Sequence, residues 1–376
     1  MHAPHANSPL RGPLGPVQYY GRMVASMVIS ADEHVVESRE FWDDWLPRSL
    51  PPKDRDRAPR LVGVGIALDS SAHVLRTFTL FPQLMKRSDD ALGSMDVHDR
   101  VVVLDREGID VAIQFPQRAM SMSGIADRDL MFSCLNSFNE WLASWCGSSN
   151  GRLHGVPILP TYYRPEATAD YIGHLKALGF KTMMLPNYPR DIRYADPEMQ
   201  PMWTAIEESG LPLNFHISEA PDDNGPGGLG TFMTVSMQPF RKLWSYLVFS
   251  GLLDRHPGLQ VVFTEGGISW VPSVLDHADR VHREFAAYLE PRLPHPPSHY
   301  WHTQCQATFM DDPRGLEQIE FIGVNRMLWS SDYPHPEGTY GATPTVWQHM
   351  RELLGEAAAT AIMGGNAQRL YGFVRP

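Results

Sequence analysis

The chain predicts an α/β fold, a (β/α)8 TIM barrel with an insertion after its first strand. Three observations carry this. Short apolar runs alternate with helix-like amphipathic stretches along the 376 residues. Most of those runs are continuous, as expected of parallel strands covered by helices on both faces. Eight of them occur, more than the roughly five or six strands of an ordinary open sheet. A doubly wound sheet, or an extra strand, is the structural alternative.

In chain order, the candidate strands are Met27–Ala31, Val111–Phe115, Leu153–Leu159, Phe180–Leu185, Leu213–Ile217, Gln260–Thr264, Thr303–Phe309 and Met327–Ser331. Helices are expected over Asp127–Cys146, Pro165–Leu178, Pro197–Ser209, Lys242–Arg255, Val271–Leu289 and Asp312–Phe321. Pro165 and Pro197 suit a first helical turn, and Gly179 and Gly210 suit helix exits.

Residues 1–26 are rich in Pro, His and Gly and read as an N-terminal arm. Such an arm can pack on a neighbour, which leaves a homo-oligomer open. Residues 27–376 read as one barrel domain, with an insertion at about 38–110. That insertion holds the proline- and charge-rich Pro47–Arg60 and the Phe78–Arg87 stretch. Residues 219–241, with Gly225-Pro-Gly-Gly-Leu-Gly230, and Pro291–Ser298 are further long excursions. Loops of this kind after barrel strands line the active-site face. The glycine run is not a phosphate loop, because it lacks the strand, the Gly-Lys-Ser/Thr and the helix.

Hydrophobic residues make up 43% of the chain, and ten tryptophans support a substantial core. The net charge of -11 argues against a nucleic-acid surface. Three cysteines, Cys134, Cys146 and Cys305, form no Cys-x-x-Cys unit and fit a reducing cytoplasm. No run is apolar enough over sufficient length to span a bilayer, and no secretory leader is read at the N-terminus.

The informative residues stand at the strand ends. Strand one ends at Asp32 and His34, with Glu37 beyond; strand five at His216; strand six at Glu265; strand eight at Asp332, with His335 in the next turn. A carboxylate and an imidazole two residues apart on a strand share a face. In a barrel these ends converge on one mouth, so ligands far apart in sequence can meet at a metal. Each residue alone has a bland reading: a lone histidine in a core, a Glu37 that merely starts a helix, a His335 that only hydrogen-bonds a ligand.

Asp32-x-His34, His216, Ser331-Asp-Tyr-Pro-His335 and the closing Met363-Gly-Gly-Asn-Ala-Gln-Arg-Leu-Tyr-Gly372 resemble the amidohydrolase superfamily. The nearest branch includes metal-dependent decarboxylases of aromatic acids. The resemblance runs from about residue 28 to the end. It implies a divalent metal, with Asp32, His34, His216 and Asp332 at ligand positions. Two departures stand against it. Decarboxylase-like members carry an acid/base histidine after strand six, where this chain has Glu265. Binuclear hydrolases carry a carboxylated lysine ending strand four, where this chain reads Met183-Met-Leu-Pro-Asn187 and Lys181 lies at the wrong end.

Counting Glu37, Glu265 and His335 as further ligands leaves more oxygen and nitrogen donors than one tetrahedral zinc needs. That mixture suits two metal ions, with iron or manganese favoured. The Glu265 pattern is similar to the TIM-barrel non-heme diiron monooxygenases. This resemblance implies two irons, O2, an external reductant and an apolar acyl substrate carried on CoA, with Glu265 and His335 in catalysis. The alternatives are a mononuclear zinc or manganese enzyme, a nonoxidative decarboxylase or hydrolase with Glu265 as base, and a non-catalytic binding protein on a degenerate barrel. A pocket of Phe115, Met233, Met237, Phe240 and Trp270 is expected to receive the substrate. Arg100, Arg118, Arg241 and Lys242 are candidates to meet its carboxylate or phosphate, or are scattered surface cations.

Overall fold

The computed structural model describes residues 26–68, 73–75, 82–189, 191–217, 227–231, 234 and 240–376. The N-terminal arm, most of the glycine-rich excursion, Met233 and Met237 lie outside them.

Among the described residues, eight parallel strands follow the expected order: β1 (Ile29–Val35), β2 (Val111–Pro116), β3 (Leu153–Gly155), β4 (Met183–Met184), β5 (Leu213–His216), β6 (Val261–Thr264), β7 (Cys305–Phe309) and β8 (Met327–Trp329). β1, β2 and β3 pair in that order, and β8-β7-β6-β5-β4 pair in a second run. Two seams close the ring. Ile158 bridges Met184 between the β3 and β4 segments. At the other seam, Asp332 N donates to Asp32 O at 3.0 Å and His34 N to Tyr333 O at 2.8 Å. The fold is therefore a (β/α)8 barrel, as the apolar runs predict.

Boundaries differ from the expectation in two informative places. β1 runs on to Val35, so Asp32 and His34 lie inside the strand rather than past its end. His34 is paired on both sides, to Phe115 of β2 and to Tyr333 O after β8, whereas Asp32 lies where the β2 register shifts and accepts from Asp332 N. The third run is cut short, because Pro157 has no N–H to offer a ladder. Only its carbonyl joins, accepting from Met184 N at 2.9 Å.

Most helices form where capping and periodicity place them, but the stretch expected over Asp312–Phe321 is two short helices, Pro313–Leu316 and Ile319–Ile322, and the one expected over Val271–Leu289 ends at Glu284. Asp127 caps Arg128–Gly147 by accepting from the amides of Asp129 and Leu130. The stretch expected over Lys242–Arg255 is instead two helices, Phe240–Phe249 and Leu252–Arg255, divided at Gly251 with φ +72°. Val97–Glu107 forms a helix leading into β2, so the segment after β1 ends as an ordinary barrel element. Before it lies a small antiparallel sheet, Arg60–Val62, Gly65–Leu68 and His73–Leu75.

The closing Gly-Gly has a packing reason. A Cβ on Gly364 would lie 2.0 Å from Met27 O. Only glycine lets the last helical segment lie against the entry to β1. Cys134, Cys146 and Cys305 are buried and unbridged. Among the described residues, no helix is long and apolar enough to cross a membrane.

Candidate metal centre

Six of the seven sequence-predicted residues meet at the C-terminal mouth of the barrel. Asp32, His34 and His216 form one group of donors; His34, Glu265, Asp332 and His335 form another that shares His34. Within each group the ligating atoms lie within 4.8 Å of one another. His34 Nε2 is 3.1 Å from His216 Nε2, 3.6 Å from Asp332 Oδ1, and 3.8 Å from both Asp32 Oδ1 and Glu265 Oε2. His216 Nε2 is 3.0 Å from Glu265 Oε2 and 3.6 Å from Asp32 Oδ1.

Local backbone features aim these side chains. β1 carries a register shift between Ser30 and Glu33, a bulge that re-aims the strand where the donors begin. Glu265 and Asp332 both sit at positive φ, +70° and +56°. Non-glycine residues seldom adopt that region, and holding them there costs about 1–3 kcal/mol each. Strain at the two strand-end carboxylates marks them as positions the fold over-determines. Gly266 serves the same corner: a Cβ there would lie 2.4 Å from the Phe240 ring.

Each histidine's second nitrogen is engaged. His34 Nδ1 faces Pro116 O at 3.3 Å and His216 Nδ1 faces Ile217 O at 2.6 Å. Protonation at Nδ1 leaves both Nε2 lone pairs turned to the centre. Neither oxygen of Asp32, nor Oδ1 of Asp332, has a hydrogen-bond partner, although all three are buried. Buried carboxylate oxygens without partners are costly, and a cation satisfies them. The donors present therefore fit a divalent metal with mixed oxygen and nitrogen ligation.

The electrostatics agree. Burial raises Asp32 to about 6 against the pull of His216, and holds Asp332 well above the carboxylate range against His335. Burial and the neighbouring His335 push His34 down to about 3. Burial also disfavours charge on His216, but Glu265 and Asp32 outweigh it and raise it to about 10. Burial opposes ionised Glu265, yet His216 and the other imidazoles pull it well below the usual range. Protons shared in this way are displaced when a cation binds.

Glu37 is the predicted ligand that stays out of the cluster. Its carboxylate accepts from the consecutive amides of Gln117, Arg118 and Ala119 at 2.9–3.2 Å. His335 belongs, with Nδ1 3.1 Å from Asp332 and 3.7 Å from Glu265, and its side chain is 13% exposed against 4% or less for Asp32, His34, His216, Glu265 and Asp332.

Each of the expected anion-binding cations has a partner in the fold, although Nη1 of Arg118 is buried without one. Arg100 is fully buried beneath the centre, donating to Glu33, Gln114, His34 O and Gly93 O. Arg118 donates to Val64 O and to both oxygens of Asp89. Arg241 donates to Ser273, and Lys242 lies 4.9 Å from the Tyr188 ring centroid. Arg100 could not be placed from sequence because its partners come from β1, β2 and the loop before its helix. Lys181 is exposed at the entry to β4, away from the mouth. Phe115 is core, its ring 4.8 Å from that of His216. Phe240 and Trp270 are buried with ring centroids 6.4 Å apart.

Sequence reasoning missed Gln117, whose Oε1 lies 2.9 Å from His335 Nε2. It also missed Asn187, which donates to His216 O at 2.9 Å. Amides carry no acid–base chemistry, so only their places at the ends of strands two and four could have flagged them.

A family profile described as Amidohydrolase matches residues 69–373. Gamma-resorcylate decarboxylase of Rhodococcus jostii (strain RHA1) is 23% identical over 262 residues, 64% of this chain and 78% of that protein. An amidohydrolase from Mycobacterium avium subsp. paratuberculosis K-10 superposes with TM-score 0.70 at 21% identity, covering 94% of this chain and 99% of that one. The 5-carboxyvanillate decarboxylase of Sphingomonas paucimobilis gives 0.67 at 20%, covering 93% and 100%. A dihydroxybenzoic acid decarboxylase from Polaromonas sp. JS666, with bound manganese and 2-nitroresorcinol, gives 0.66 at 21%, covering 92% and 97%. At these identities the structural likeness establishes the fold.

Proposed function

The chain belongs to the amidohydrolase family as a metal-dependent enzyme, and we propose that it removes the carboxyl group of a hydroxyaromatic acid without oxidation. The observation that carries this is the mouth of the barrel: unpartnered Asp32 and Asp332 oxygens facing two oriented imidazoles, with a more exposed His335 beside them. The decarboxylases among the relatives supply the reaction class.

Asp32, His34, His216 and Asp332 would hold the metal. When bound, a divalent cation supplies a Lewis acid that anchors the substrate's oxygens. Decarboxylation then requires a proton at the ring carbon that bears the carboxyl group. The electron pair of the breaking C–C bond stays on that carbon and ends in the new C–H bond, and CO2 leaves. His335 is the chain's acid for this step. Burial disfavours its charge, but Asp332 and Glu265 outweigh that and hold it protonated. Glu265, kept ionised by the imidazoles around it, faces the same Nδ1 and holds the proton there. Glu265 thus stands where the relatives' histidine is expected.

One specific observation favours a second reading. The donors fall into two overlapping sets rather than one. Two irons acting with O2 and an external reductant on an acyl-CoA would use both.

The test is metal analysis together with CO2 release from 2,6-dihydroxybenzoate, in air and without it. One manganese or zinc per chain with oxygen-independent CO2 release supports decarboxylation. Two irons per chain and O2 uptake overturn it.

A further inference from the structure

We infer that Gln117 and Glu37 form a positioning relay that sets the ring of His335 at the metal centre. The inference rests on the metal-centre reading but concerns residues outside the donor set.

The chain of contacts has two links. Glu37, fully buried just past β1, accepts from three consecutive amides of the loop after β2. A carboxylate cradled by successive N–H groups fixes the backbone that supplies them. The first of those residues is Gln117. Its side-chain Oε1 meets His335 Nε2 at 2.9 Å.

An amide oxygen only accepts, so His335 must carry a proton on Nε2. That leaves Nδ1 as the nitrogen facing Asp332 and Glu265. Whether Nδ1 binds a cation or shares a proton, its direction is set by the bond at the far side of the ring. The ring lies tilted against that of His34, centroids 4.2 Å apart, so a rotation would disturb His34 as well. Glu37 therefore acts through Gln117 and not on the metal. This explains how a buried acid two residues past Val35 serves the site without joining it.

The experiment titrates Mn2+ into the metal-stripped full-length chain and reads free Mn2+ by electron paramagnetic resonance. Gln117→Met removes the acceptor at nearly constant length, Gln117→Glu keeps it, and Glu37→Gln places an NH2 against backbone donors. We expect Gln117→Met and Glu37→Gln each to weaken Mn2+ binding about 10- to 100-fold. Gln117→Glu should bind within a few-fold of wild type, as rescue by a retained acceptor. The double variant Glu37→Gln/Gln117→Met should be no weaker than its worse parent, because both act on one link. A second readout needs no metal: the His335 Nε2–H signal in 15N-histidine spectra, assigned by its loss in His335→Asn. It should be protected from exchange in wild type and in Gln117→Glu, and exposed in Gln117→Met and Glu37→Gln.

Additive losses in the double variant would overturn the relay, since Glu37 would then act separately. So would equal losses in Gln117→Met and Gln117→Glu, or an unprotected Nε2–H in wild type. Wild-type protein that binds no Mn2+ yet shows the protected proton would sink the metal reading while sustaining the relay.

Discussion

Asp332 N donates to Asp32 O at 3.0 Å, so the carboxylates that begin and end the barrel are backbone neighbours across its closing seam. Both side chains are buried, and three of their four oxygens lack hydrogen-bond partners. The seam brings together two carboxyl groups that the fold alone does not satisfy. Metal-free protein should therefore carry a cost that Asp32→Asn relieves. We expect metal-free Asp32→Asn to melt at or above the wild-type temperature. Saturating Mn2+ should raise the wild-type melting point, equivalent to about 2.7 kcal/mol at a hundredfold excess over Kd. It should raise that of Asp32→Asn little. Equal gains in both proteins would remove Asp32 from the ligands.

Glu265 separates two roles. Its Oε2 is 3.0 Å from His216 Nε2, and its Oε1 is 3.7 Å from His335 Nδ1. If it ligates, Glu265→Gln lowers metal content and turnover together. If it only manages the His335 proton, metal content holds and turnover falls about 100-fold or more. Elemental analysis beside the rate decides between them, and normal values for both would dismiss either role.

His154 gives the stability of this fold a pH signature away from the metal centre. Its ring stacks on Phe373 at 4.3 Å, and burial, with Lys181 nearby, lowers it from 6.5 to about 4. Below pH 6.5 the unfolded chain takes up a proton that the folded chain refuses. Stability is thus complete above pH 6.5 and is lost as pH falls toward 4. The loss reaches about 2 kcal/mol at pH 5. Urea midpoints for His154→Gln should fall less steeply over that window than those of wild type. Parallel curves would contradict this.

Gly364 is required by space rather than by conformation, since its φ of 179° is open to any residue. Gly364→Ala should destabilise by about 1–3 kcal/mol, the usual cost of overpacking. Gly179→Ala offers a contrast: nothing stands near its Cβ, but its φ is +90°. It should show the smaller penalty of a strained backbone, about 1 kcal/mol. Chemical denaturation of the pair tests whether Gly364 is the tighter position.

By itself the sequence determined the barrel and most of the polar residues that gather at its mouth. Parallel strands buried on both faces must be apolar, so polar residues at their ends stand out, and Asp32, His34, His216, Glu265 and Asp332 were legible for that reason. Pairing partners were not legible, because a side chain's hydrogen bonds depend on which distant element arrives beside it. Glu37 and Glu265 look alike as strand-end carboxylates. Tertiary structure gave Glu37 three backbone amides from the loop after β2, and turned Glu265 toward three imidazoles. The same holds for Arg100, which reads as a surface cation and proves to be a buried brace under His34. Burial removes water as a partner, so each buried charge must find its own in the folded chain. That choice is made by packing and not by local sequence.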